Sequence, residues 1–205
     1  MAQLDTRPII ASTRAELLQA AAERATRYLD TLDERPVGVT PEARARLAEL
    51  AEPLPADPGD PAEVLALLDE IGSPATIASA GGRYFGFVIG GALPVTVAAN
   101  WLAAAWDQNA AVSTLSPIGA ALEVQAQQWL LELFGLPPES GAAFVTGDTM
   151  ANVSALAAAR YSVLDRVGWN VERDGLFGAP PVTGVVGDEV HVSVTKALGL
   201  LGFGR

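Results

Sequence analysis

The 205-residue sequence contains no cysteine, a single histidine (His191) and a single lysine (Lys196). The first absence excludes a disulfide framework, thiolate metal sites and a cysteine nucleophile. The second excludes a zinc site built on several histidines, and no metal is expected. Cations are scarce: 13 Lys+Arg against 24 Asp+Glu leave a formal charge of −11. That balance argues against a nucleic-acid partner or an anionic membrane surface, since both require clustered Lys and Arg. Only 18% of residues are charged while half are apolar, so the chain is not a disordered tail. No basic-then-apolar leader opens it, because Asp5 and Arg7 precede any apolar stretch. The expected compartment is the cytoplasm. One uncharged stretch, 84–106, has about the length of a membrane span. Gly86, Gly90-Gly91, Pro94 and Asn100 punctuate it, however, as a short strand or loop followed by a buried helix, and no membrane association is expected.

At roughly 150 residues per domain, the length accommodates one domain with an appendage. Residues 1–75 read as a helical arm. Thr13 and Glu16 form a capping-box pattern, and Leu17, Leu18, Ala21, Ala25, Tyr28, Leu29 and Leu32 follow as one apolar stripe in need of a partner surface. Thr40-Pro41 starts a second helix, the proline-rich stretch 52–61 breaks it, and Asp60, Pro61 and Glu63 open a third that Gly72 stops. Residues 76–205 have a different character. Pro94 to Asn109 reads as a buried helix, Ser116-Pro117 starts an amphipathic helix ended by Gly135, and 142–146 (AAFVT) reads as a strand. Gly147-Asp148-Thr149 then leads into an alanine-rich helix, 182–187 (VTGVVG) reads as a second buried strand, and a last helix begins near Ser193. This order is that of a βαβ unit, so an α/β class with a parallel sheet is expected. Two strands are too few for such a sheet, and the chain reads as the front part of a larger domain.

Two groups of residues suggest chemistry. A strand turning through Gly147-Asp148-Thr149 into a helix offers free amide N–H groups and the positive end of a helix dipole to a phosphate or carboxylate. Asp148 is awkward there, because its carboxylate repels an anion unless it points away. Many α/β proteins carry such a turn and bind nothing at it. His191 follows the second expected strand, at the same carboxyl edge of the sheet, where open α/β folds bind ligands. An imidazole there could stack on a flat ring or move a proton.

Arg83-Tyr84-Phe85-Gly86-Phe87, Ser116-Pro117 with Glu123, the turn from Thr146 to Asn152, Ala159-Arg160, and His191-x-Ser193-x-x-Lys196-Ala197 occur in an order and spacing that resembles the pyridoxal phosphate-dependent (group II) amino acid decarboxylases of the aromatic amino acid and glutamate type. The likeness covers most of the chain and is firmest from Arg83 to Gly202. It implies an aspartate aminotransferase-like (fold type I) large domain, of which 76–205 would be an incomplete first part continued beyond Arg205. It further implies pyridoxal 5'-phosphate as cofactor, with its phosphate at Gly147, Asp148 and Thr149 and its ring stacked on His191. Tyr84 and Phe85 would lie near the substrate, and the loop from Asn109 to Val112 would reach a second subunit's site in a homodimer wrapped by the N-terminal helices. Where many members have glycine, alanine or serine, this chain has Asp148. The resemblance assigns Lys196 to a helix surface and puts the imine-forming lysine, with the aspartate facing the ring nitrogen, in sequence past Arg205. On that reading the chain turns over only with a complementary C-terminal chain. The substrate would be an amino acid, and the aromatic Tyr84 and Phe85 favour a ring-bearing one. Alternatives are another fold type I enzyme (an aminotransferase or an aldehyde or carbon–sulfur lyase), or a truncated non-catalytic partner.

Overall fold

The computed structural model describes residues 12–204; Asp5 and Arg7, on which the leader reading rests, lie outside them. The described residues form eight α-helices, α1 (Arg14–Asp30), α2 (Pro41–Arg46), α3 (Pro61–Leu67), α4 (Pro94–Trp106), α5 (Pro117–Leu133), α6 (Asp148–Asp165), α7 (Val171–Asp174) and α8 (Val192–Leu200). They fall into two compact units, the first ending at Asp107 and the second beginning at Gln108.

Helix starts follow the side chains that satisfy orphan amides. In α1 the Thr13 hydroxyl accepts from the Glu16 N–H, and the Glu16 carboxylate accepts from the Thr13 N–H at 2.6 Å, a complete capping box. That amide donor, followed by the Thr13 hydroxyl, holds the Glu16 carboxyl below its usual range. Thr40, Asp60 and Ser116 cap α2, α3 and α5, each with proline at the next position. The first unit is knit by Asp69, which pairs with Arg27 at 2.6 Å and Arg24 at 3.6 Å, and by Arg35 stacked 4.5 Å from the Tyr28 ring centroid. Past α3 the winding widens into a π turn over Leu68–Gly72 and tightens to a 3₁₀ turn over Ser73–Ala75, so Gly72 changes the helix where it was expected to stop it.

The second unit is organised by α6 packed on α8. Leu164 and Ala197 are buried in it, with Leu131, Val171 and Leu201. Three helix ends close in the same way, with paired 6→1 and 5→2 bonds. At α5 the Leu136 N–H reaches the Leu131 carbonyl and the Gly135 N–H that of Glu132; at α8 Phe203 reaches Leu198 and Gly202 reaches Gly199. Beyond α6, Trp169 and Gly168 bond back to Leu164 and Asp165. Gly202 is required twice over, since its φ is +86° and a Cβ there would meet Leu176 Cδ1 at 2.9 Å. Arg160 of α6 donates to the Leu201 carbonyl at 2.9 Å, putting a cation at the carbonyl end of α8.

The structure corrects the sequence reading at three further places. Residues 142–146 and 182–187 form no strand among the described residues, because a ladder needs a neighbouring backbone and neither segment has one beside it. Val182–Val186 instead line a cavity of about 390 Å³ with Leu156, Ala159, Val163, Val194 and Leu198. Helix α4 forms, but it ends at Trp106, where Asp107 turns left-handed (φ 47°), and it has no buried residue. Its apolar composition was the sole ground for expecting burial; Trp101, Leu102 and Trp106 are exposed. Finally, the short helix α7 carries no apolar period long enough to have been read from sequence, and Asn170 starts it by capping the Arg173 N–H.

Candidate functional site

Helix α6 begins directly after Gly147, and no side chain caps it. Its first-turn N–H groups, from Asp148 onward, therefore project from the helix start without a capping acceptor. An added Cβ at Gly147 would meet nothing within 4 Å, so the turn is uncrowded at that residue. Thr149, half-buried, adds a hydroxyl.

The start of α8 faces this turn. His191 is its cap residue: Nδ1 accepts from the Ser193 N–H at 3.3 Å and lies 2.7 Å from Ser193 Oγ. Asp148 Oδ2 is 3.5 Å from the same nitrogen. Asn152, one turn into α6, donates from Nδ2 to Asp148 Oδ1 at 3.2 Å and to Ser193 Oγ at 3.0 Å. Asp148, Asn152, His191 and Ser193 thus form one hydrogen-bonded group across the α6–α8 contact. Ser193 is its buried centre, while the His191 and Asp148 side chains stay largely exposed. Asp148 accepts from Asn152, and its charge stays close to the amides. Chemically the group offers amide donors for an anion and, beside them, a flat imidazole.

No protein-family model matches the chain. It is 26% identical over 176 residues to an aromatic-L-amino-acid decarboxylase of Bacillus atrophaeus, covering 86% of this chain and 34% of that protein. Over 108 residues it is 30% identical to an L-2,4-diaminobutyrate decarboxylase of Acinetobacter baumannii, covering 48% of this chain and 20% of that protein. Its fold matches mouse CSAD in apo form with a TM-score of 0.77 at 21% identity, covering 92% of this chain and 39% of that one. A second structure of mouse CSAD gives a TM-score of 0.78 at 20% identity. Both curated relatives are amino acid decarboxylases by name, and the likeness to them agrees with the resemblance read from the motifs. The chain spans about a third of the length of the aromatic-amino-acid relative.

Among the described residues, the other expected site residues make no hydrogen bond to the α6–α8 group. Tyr84, half-buried, and Phe85, 93% exposed, belong to the first unit. Asn109 engages its own turn, its Oδ1 accepting from the Ala111 N–H at 3.0 Å. Lys196 is exposed on α8, in keeping with a helix-surface lysine. Among the described residues no helix is long and apolar enough to cross a membrane, and no cluster of three potential metal ligands occurs. The donor set fits a phosphorylated aromatic cofactor: uncapped amides with a neighbouring hydroxyl for the phosphate, and an imidazole for the ring. Asn152 and Ser193 are the residues whose roles the sequence reading missed. Both lay inside the quoted motifs, and the His-x-Ser spacing, two residues apart at a helix start, was the available signal for a capping histidine.

Proposed function

We propose that this chain is the N-terminal part of a pyridoxal 5'-phosphate-dependent amino acid decarboxylase, acting on an amino acid as a homodimer or with a complementary C-terminal chain. The observation that carries the reading is the shared α6–α8 group, in which the uncapped start of α6 and the imidazole of His191 are linked through Asn152 and Ser193 at 3.0 and 2.7 Å. The amides following Gly147 would hold the phosphate, with the helix dipole adding attraction, and the Thr149 hydroxyl would add a hydrogen bond. His191 would cover one face of the ring and exclude water from it. Tyr84, Phe85 and Asn109 would serve the substrate side. When bound, the cofactor supplies an electron sink for the carbon–carboxylate bond that breaks. Lys196, exposed on α8, lacks the enclosed setting of a covalent anchor.

Product analysis tests the reading. A complete assembly given aromatic amino acids and pyridoxal 5'-phosphate should release an amine and carbon dioxide in equal amounts. A keto acid or an aldehyde as the product would replace it with an aminotransferase or lyase reading.

A further inference from the structure

The neighbours of His191 determine where its ring proton sits. Asp148 Oδ1 lies 3.2 Å from Asn152 Nδ2. A carboxylate only accepts, so Asn152 must turn its NH₂, and not its carbonyl, toward it. The same NH₂ has a second hydrogen, directed at Ser193 Oγ 3.0 Å away. Ser193 Oγ therefore accepts from Asn152, and its own hydrogen is left for His191 Nδ1 at 2.7 Å. The Ser193 backbone N–H approaches that nitrogen as well, at 3.3 Å, and a backbone amide cannot accept. Two donors thus converge on Nδ1, which must keep its lone pair. Asp148 Oδ2, 3.5 Å from Nδ1, would pair with an imidazolium, but a proton on Nδ1 forfeits the backbone donor and uncaps α8. Ser193 is 2% exposed, so little water reaches its hydroxyl to reorient it.

From this chain of donors we infer that Asn152 and Ser193 are positioning residues that hold His191 as the neutral Nε2–H tautomer, so that any proton the ring gives or takes passes through Nε2. The inference deepens the proposed role of His191 and rests on that reading for its catalytic meaning; the tautomer itself needs no cofactor.

Because the chain has one histidine, long-range ¹H–¹⁵N spectra of the labelled, tag-free full chain report a single imidazole. At alkaline pH, where imidazole is neutral, the wild type should give a pyridine-type Nδ1 and a pyrrole-type Nε2. Ser193→Ala and Asn152→Ala should move both nitrogens toward the average of two exchanging tautomers, and Ser193→Thr should restore the wild-type pattern. A pyrrole-type Nδ1 in the wild type, or an unchanged pattern in the alanine variants, overturns the inference. Circular dichroism checks folding; if Ser193→Ala does not fold, Asn152→Ala decides by the same criterion. A titration with pyridoxal 5'-phosphate in parallel separates the two claims. A fixed tautomer without cofactor binding removes the cofactor reading and keeps this one, and binding with an averaged tautomer does the reverse.

Discussion

Asp148 sets a carboxylate beside the amides that would receive an anion, held there by Asn152. Two like charges about 4 Å apart in a water-like medium repel by about 1 kcal/mol, which is roughly fivefold in an affinity. Asp148→Asn should therefore tighten pyridoxal 5'-phosphate binding by about that factor at low salt, and the gain should shrink as salt screens it. A spectroscopic titration at two ionic strengths checks both parts, and an unchanged or weaker affinity would mean that the phosphate sits elsewhere. Gly147, Thr149 and His191 stand out because glycine turns and lone imidazoles have few structural substitutes. Ser193 and Asn152 did not, since a serine and an asparagine in a helix commonly do no more than bond locally. Their meaning comes from two helices distant in sequence meeting at one point.

Helix boundaries were readable wherever a side chain replaces a missing backbone partner. Thr13, Thr40, Asp60 and Ser116 start helices as their chemistry demands, and Gly135 ends one. Burial was less readable, because an apolar helix such as α4 states what it would prefer to touch and nothing about whether it is touched. The strands failed for a related reason: the segments 142–146 and 182–187 have the composition, but a ladder is a property of pairs. Two predictions belong to the helices. The Glu16 carboxyl is held below its ordinary range by the Thr13 N–H, so its contribution to α1 is present above the unfolded pKa and lost as pH falls through the lower folded value. Residue-resolved chemical shifts should show the first turn of α1 fraying over that acidic window in the wild type, and no such step in Glu16→Gln. In the second unit Leu164 is 1% exposed at the centre of the packing. Leu164→Ala should cost about 2–5 kcal/mol, read as a lowered denaturation midpoint; a loss well below that range would mean the site collapses around the gap.

Across the whole molecule, apolar side chains remain uncovered on both units. Phe85, Phe87 and Val88 in the first and Phe177 and Val185 in the second are all more than 90% exposed, and Phe87 and Val88 also take left-handed backbone angles of φ 56° and 55°. Exposed apolar side chains of this kind are what a second copy or a complementary chain, as proposed, would cover. Sedimentation should find species heavier than the monomer, and Leu102→Lys on the uncharged face of α4 should shift them toward it. A monomer at every concentration, with no effect of the substitution, would contradict that expectation. The unpaired backbone of 182–187 has a separate consequence. In heavy water its amides, having no ladder to shelter them, should take up deuterium within moments, while those around Leu164 hold their protons far longer. A partner that zips onto this segment would announce itself by slowing that uptake.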